Sequence, residues 1–299
     1  MFRTTLLTGL VAIVIGLAST QDASSACTQP ANIVPGKNFD RVFTIFFENE
    51  DRANVLKDPN FKKATQMGID QSSYYATTHP SQPNYIAYVS GSTQGVTNDS
   101  NANLNGKSIV DLLEPKGISW GAYAEALPSS NYTGSKSGTY YRKHEPFISF
   151  NNIRNSASRV NKIKNADALD ADIKAGNLPQ FVFFAPDINN DGHDTSIDYA
   201  GNWLSGFLSK YNDHFQNTNT VLHLTFDESE TYTGPNLVYS TISGGSVDPS
   251  LVGTTDNTGY THYSMLKTVE NNWGLGSLQT NDANATPFAG LKRNPNLCG

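Results

Sequence analysis

Val42-Phe43-Thr44-Ile45-Phe46-Phe47-Glu48-Asn49-Glu50-Asp51 is the stretch that decides how the chain is read. An almost unbroken apolar run gives way at once to acids and an amide. A run of that length without alternation fits a strand covered on both faces, as in parallel sheets. Two later stretches repeat the pattern. Phe181-Val182-Phe183-Phe184 leads to Asp187-Ile188-Asn189-Asn190-Asp191-Gly192-His193-Asp194, and Val221-Leu222-His223-Leu224-Thr225-Phe226 runs straight into Asp227-Glu228. Helical patterns cover Asn60–Met67 (closed by Gly68), Ser108–Glu114, Ala157–Ala175, Asp198–Tyr211 and His262–Trp273, with a further strand at Ile118–Tyr123. Such alternation predicts an α/β fold, a mostly parallel central sheet with helices on both faces. Ligands of such sheets bind outside the carboxyl ends of the strands. The three polar clusters are therefore expected at one edge, where several carboxylates in one cleft would either bind a cation or shift their pKa values.

A hydroxyl joins them from Thr78-His79-Pro80-Ser81-Gln82-Pro83-Asn84-Tyr85. Pro83 suits the first turn of a helix, where its missing N–H costs nothing. Ser81 then lies at or just before a helix N-terminus, where free N–H groups and the dipole favour an anion. Taken alone, a serine in that place is more often a cap than a nucleophile.

Residues 1–26 have the marks of a secretory signal, with Arg3, the apolar run Leu6–Ala18 and small residues up to Ala26. The run is too short to span a bilayer. Residues 27–299 then read as one exported domain, with no linker or repeat to divide it. The only two cysteines, Cys27 and Cys298, fit a disulfide between the chain ends in an oxidising destination. Asn98, Asn131 and Asn284 head N-x-[ST] sequons open to glycosylation. The formal net charge of −6, with no basic run, argues against a nucleic-acid partner. Arg142-Lys143-His144 is a brief basic patch suited to one small anion.

Six segments in order then carry a family resemblance: Phe47-Glu48-Asn49, His79 to Tyr85, Tyr141-Arg142-Lys143-His144-Glu145-Pro146-Phe147, Asn190 to Asp194, Phe226-Asp227-Glu228 and Thr261-His262-Tyr263-Ser264. The chain resembles the secreted phosphoesterases that include acid phosphatases and phospholipases C, a branch of the alkaline-phosphatase-like fold. The resemblance implies that Glu48, Asn49, Asp227 and Glu228 bind a metal with Ser81, which is also the nucleophile. It makes His144 and His193 active-site histidines facing phosphate and leaving group. His79, Asn84 and His262 are carried as candidates for substrate contact, while His223 and His214 read as core and surface.

One departure from the wider fold stands out. The second-metal element Asp-x-x-x-His is here Asn189-x-x-x-His193, without the carboxylate. One divalent metal ion is therefore expected (Ca, Mg, Mn or Zn), with His193 as a cation in place of a second. The activity expected is a secreted, metal-dependent acid phosphatase acting on small phosphomonoesters through a phosphoseryl intermediate. The alternative is a phospholipase C-type phosphodiesterase acting on phospholipid head groups. A third, non-catalytic reading, a binding protein on a retired enzyme fold, is disfavoured by the retained serine, carboxylates and histidines.

Overall fold

The structure is a computed structural model that describes residues 1–2 and 30–298. The expected signal segment, save its first two residues, and Cys27 lie outside the described residues. The order of elements follows from the apolar runs. Strands β1 (Arg41–Phe47), β2 (Gly68–Gln71), β3 (Trp120–Ala124), β4 (Ile163–Asn165), β5 (Phe181–Ala185), β6 (Thr220–Phe226), β7 (Ser240–Ser243) and β8 (Thr255–Asp256) form one eight-stranded sheet. Its spatial order is β8-β2-β7-β6-β1-β5-β3-β4. Every pairing is parallel except those of β7, which runs against both β6 and β2.

Strand β1 is buried at every position, because both sides of the sheet are covered. Its alternate residues show by what. Phe46 packs on Tyr85, Tyr88 and His262, from helices α2 (Ser81–Ser90) and α4 (His262–Trp273). Phe43 and Phe47, pointing the other way, pack on Phe61, Trp203, Phe207 and Phe215, from helices α1 (Pro59–Gln66) and α3 (Ile197–Gln216). Alternation along a strand puts neighbours on opposite faces, so these helices form two outer layers. Caps fix where the helices begin. Asp58 accepts from Asn60 and Phe61, Ser196 accepts from Tyr199, and Thr261 and Ser264 close a capping box.

Two expectations are corrected here. Ala157–Ala175 is not one helix: it holds short helical turns around the edge strand β4. Gly68 does not close a helix but opens β2, where an added Cβ would lie 2.0 Å from the Ile242 carbonyl oxygen. Among the described residues no helix is long and apolar enough to cross a membrane. Asn98, Asn131 and Asn284 are all exposed.

Candidate active site

Parallel pairing in register brings the acidic ends together. Phe47 sits opposite Phe226, so Glu48-Asn49 and Asp227-Glu228 leave the sheet side by side. The ladder continues one step, with Asp227 N–H donating to the Phe47 carbonyl (3.0 Å) and Glu48 N–H to the Asp191 carbonyl (3.1 Å). Asn49 then turns the chain with φ of 57°, a left-handed geometry that asparagine tolerates better than most residues. Its N–H and that of Glu228 both donate to Asp227 Oδ1, at 2.9 and 2.7 Å.

Ser81 is the first residue of α2, and it does not cap. Pro80 holds the cap position, and the N–H of Gln82 is satisfied from afar by Asp99 Oδ1 (2.9 Å). The serine hydroxyl, 2% exposed, instead donates to Glu48 Oε2 at 2.9 Å, with Glu228 Oε1 at 3.3 Å. Lys143 Nζ stands 3.3 Å from the same oxygen, 3.2 Å from Asp99 Oδ2 and 3.8 Å from Glu48 Oε2. Each contact comes from a different part of the chain.

The histidines sort by position. His144 is buried with both nitrogens committed, Nε2 3.0 Å from Glu48 Oε1 and Nδ1 3.1 Å from Asp191 Oδ2. Burial opposes its charge, but Glu48 and Asp191 outweigh it and push the imidazole up to about 9. It stands as a buried cation that orients Glu48. His79 is paired through Nδ1 with Glu228 Oε2 and stacks on Tyr232. His193, exposed, has Nδ1 2.8 Å from Asp194 Oδ1 and its ring 6.4 Å from that of His144.

Two residues expected at the substrate are corrected. Asn84 is wholly buried; its amide accepts from the N–H groups of Thr77 and Thr78 and donates to the Thr78 and Pro80 carbonyls. It shapes the loop before Ser81, whose His79–Pro80 bond is cis. His262 is also wholly buried, with Nε2 2.6 Å from the Asp227 carbonyl oxygen and Nδ1 3.2 Å from the Tyr74 hydroxyl. It supports Asp227 from behind. Sequence reasoning gave Asp191 a place in a polar cluster but no role, and gave no role to Lys143, Asp99 or Tyr232. Asp191 left its signal in the acidic cluster behind residues 181–184, and Lys143 left one as part of the basic patch suited to one anion; Asp99 and Tyr232 left none.

The carboxylates strain against one another. Burial, and then Glu48 and Glu228, push Asp227 well above the carboxylate range. Burial and Glu48 push Glu228 up to about 8. Burial would raise Glu48 too, but His144 and Lys143 hold it low. Asn49 Oδ1 and Asp227 Oδ2 are buried without a hydrogen-bond partner. Orphaned hard oxygens beside crowded carboxylates are the chemistry of a divalent-cation site. Among the described residues, no three or more His, Cys, Asp or Glu groups are set as a ready-made cage. Glu48 and Glu228 spend oxygens on Lys143, His144 and His79 instead. The donor types fit a cation, completed by the Asn49 amide and the Ser81 hydroxyl.

A buried serine on a helix start, ringed by acids and a lysine beyond a parallel sheet, defines a class, and comparison bears it out. A protein in the alkaline phosphatase superfamily from Vibrio parahaemolyticus shares the fold, with a TM-score of 0.56 at 13% identity over 89% of this chain and 76% of that one. Residues 59–276 match the phosphoesterase family. The phosphate-repressible acid phosphatase of Penicillium chrysogenum is 41% identical over 93% of this chain and 72% of its own length. A probable acid phosphatase of Kluyveromyces lactis is 40% identical, over 90% and 67%. The chain belongs to the phosphoesterase family and is a phosphoric ester hydrolase.

Proposed function

We propose that the protein is a secreted, metal-dependent acid phosphatase that cleaves small phosphomonoesters through a phosphoseryl intermediate. The observation that carries this reading is the Ser81 hydroxyl, buried between Glu48 Oε2 at 2.9 Å and Lys143 Nζ at 3.3 Å. The names of the two fungal relatives support the choice of monoester and of acid.

Ser81 Oγ attacks phosphorus as its proton leaves toward Glu48, forming the O–P bond while the ester O–P bond breaks. The departing alkoxide takes a proton from the open side, where His193 stands. Water then attacks the phosphoserine, freeing phosphate and restoring the hydroxyl. Lys143 neutralises a phosphoryl oxygen throughout. Glu48, Asn49, Ser81, Asp227 and Glu228 would hold one divalent cation. Such an ion lowers the hydroxyl pKa and offsets the charge that develops on the phosphoryl group.

The test is Ser81→Ala with phosphate trapping. Mass spectrometry of acid-quenched wild type with a phosphomonoester should show one phosphate on Ser81, and the folded variant should show neither label nor turnover. Elemental analysis should give about one divalent ion per chain, lost in Asp227→Asn. Near-normal turnover in Ser81→Ala would end the nucleophile assignment; two ions per chain would end the mononuclear one.

A further inference from the structure

Tyr232 is 60% exposed, among the largest exposures of any big apolar side chain in the described residues. Its ring nevertheless lies flat on His79, with centroids 4.0 Å apart and planes inclined by 24°. His79 in turn pairs with Glu228, and Glu228 Oε1 is 3.3 Å from the Ser81 hydroxyl. An unbroken series of contacts thus leads from the nucleophile outward to an open aromatic face.

The loop that carries Tyr232 is held on both sides. Thr231, just before it, donates its N–H and hydroxyl to the carboxylate of Asp51 at 3.0 and 2.6 Å. After it, Asn236 accepts from the Ser229 N–H (2.8 Å) and donates to the Thr78 carbonyl (2.8 Å). Asp51 and Thr78 belong to the segments that present Glu48-Asn49 and Ser81, so the ring is fixed in the frame of the site. An exposed tyrosine on a free loop would be ordinary. One locked to both ligand-bearing segments is placed.

In-line displacement puts the leaving group opposite the attacking oxygen. With Ser81 buried, the leaving group points outward, toward the rim where Tyr232 lies. We infer that Tyr232, seated on His79, is the leaving-group platform, and that it makes the protein prefer phosphomonoesters of planar aromatic alcohols. Tyr232 is a specificity-determining residue that touches the part of the substrate that departs. The inference rests on the phosphatase reading for the site, and its test does not depend on turnover.

The experiment compares phenylphosphonate and methylphosphonate, which carry the phosphoryl group but cannot be cleaved as esters. Calorimetry on the full-length protein supplied with divalent cation gives the ratio of their affinities. A ring–ring contact is worth roughly a threefold to tenfold preference. Wild type should bind phenylphosphonate tighter by that factor, Tyr232→Ala should bring the ratio close to one, and Tyr232→Trp should restore it. If both affinities fall together in Tyr232→Ala and the ratio persists, the ring only shields the His79–Glu228 pair and the platform is wrong. A wild-type ratio of one also overturns it. Failure of the phosphatase reading would look different: no phosphoserine trapped, with the phenyl preference intact.

Discussion

Lys143 changes the reading of the charge at Ser81. His193 was expected to replace the missing second cation, yet the group 3.3 Å from the Ser81 oxygen is this lysine. Burial alone would lower its pKa, but Glu48 and Asp99 outweigh that and push it up to about 12. It therefore stays charged across the working range and adds no limb to a pH profile. Lys143→Met should cost roughly 100- to 1000-fold in kcat/KM, as when one preorganised donor is removed from an anion site. Lys143→Arg should recover part of it; steady-state kinetics on a phosphomonoester would show both. His144→Ala should act on the fold instead. It strips the partner from Glu48 and Asp191, both buried, and a broken buried pair costs about 3–5 kcal/mol. Denaturant unfolding of the two variants should separate them, with Lys143→Met near wild type.

A pair of acids ties the helix that carries Ser81 to the turn Asn281–Asn284. Glu270 of α4 is buried against Asp282 in the turn Asn281–Asn284. That turn holds the end of α2: Thr280 Oγ1 donates to the Ser90 carbonyl (3.0 Å), and Asn281 donates twice to that of Gly91 (3.0 and 2.9 Å). Burial and Asp282 push Glu270 up to about 8. Burial would raise Asp282, but the neighbouring Glu270 and hydrogen bonds from Ser277 and Thr280 hold it well below the carboxylate range. The folded state thus keeps a proton on Glu270 that the unfolded chain gives up near its ordinary value of 4.5. Stability should fall as pH rises from there to about 8, by up to ~1.4 kcal/mol per pH unit, and Asp282 adds the opposite slope only at lower pH. Glu270→Gln should make that decline shallower; melting curves between pH 4 and pH 8 would show a smaller slope in the variant than in wild type, the remainder coming from Asp227, Glu228 and His144.

Sequence made the inner strands plain because β1, β5 and β6 are buried on both faces and read as apolar runs. It hid β7, whose Ser-Thr-Ile-Ser is mostly polar yet wholly buried. Ser240 there serves His223 and Gln71, and Thr241 serves the Ile69 carbonyl, which no periodicity announces. The acids of the site were legible because they end those apolar runs. Asp99 was not, nor was the closeness of Lys143 to Ser81, since Asp99 meets the Gln82 N–H and Lys143, and Lys143 meets the Ser81 hydroxyl, only along paths that depend on the finished fold.

At the scale of the molecule, the two ends of each strand do different work. Cys298 joins the edge opposite the site, pairing with Thr218 and accepting from the Asn219 N–H (2.7 Å) just before β6 begins. A bridge to Cys27 would restrain nearly the whole unfolded chain, by roughly 4–5 kcal/mol in the entropic view. Mass spectrometry of the unreduced protein should find the two cysteines linked, and two free thiols would refute it. Reduction should lower the melting temperature yet leave kcat near its normal value, since β6 keeps its seven residues, roughly 23 Å of strand, between the bridge and Asp227.

The pairing of β1 with β6 also sets when activity can begin. Asn49 and Asp227, which meet through a 2.9 Å hydrogen bond, stand 178 positions apart in the chain. Strand β6 must add beside β1 before the acids share an edge, and pairing across such a separation forms slowly. A ribosome that has made Ser81 has therefore made a hydroxyl with no carboxylate from β6 beside it. Under the proposed mechanism the nascent chain would stay inert toward the phosphate esters of the cell that builds it, and hydrolysis would start only once the last long strand of the sheet is in place.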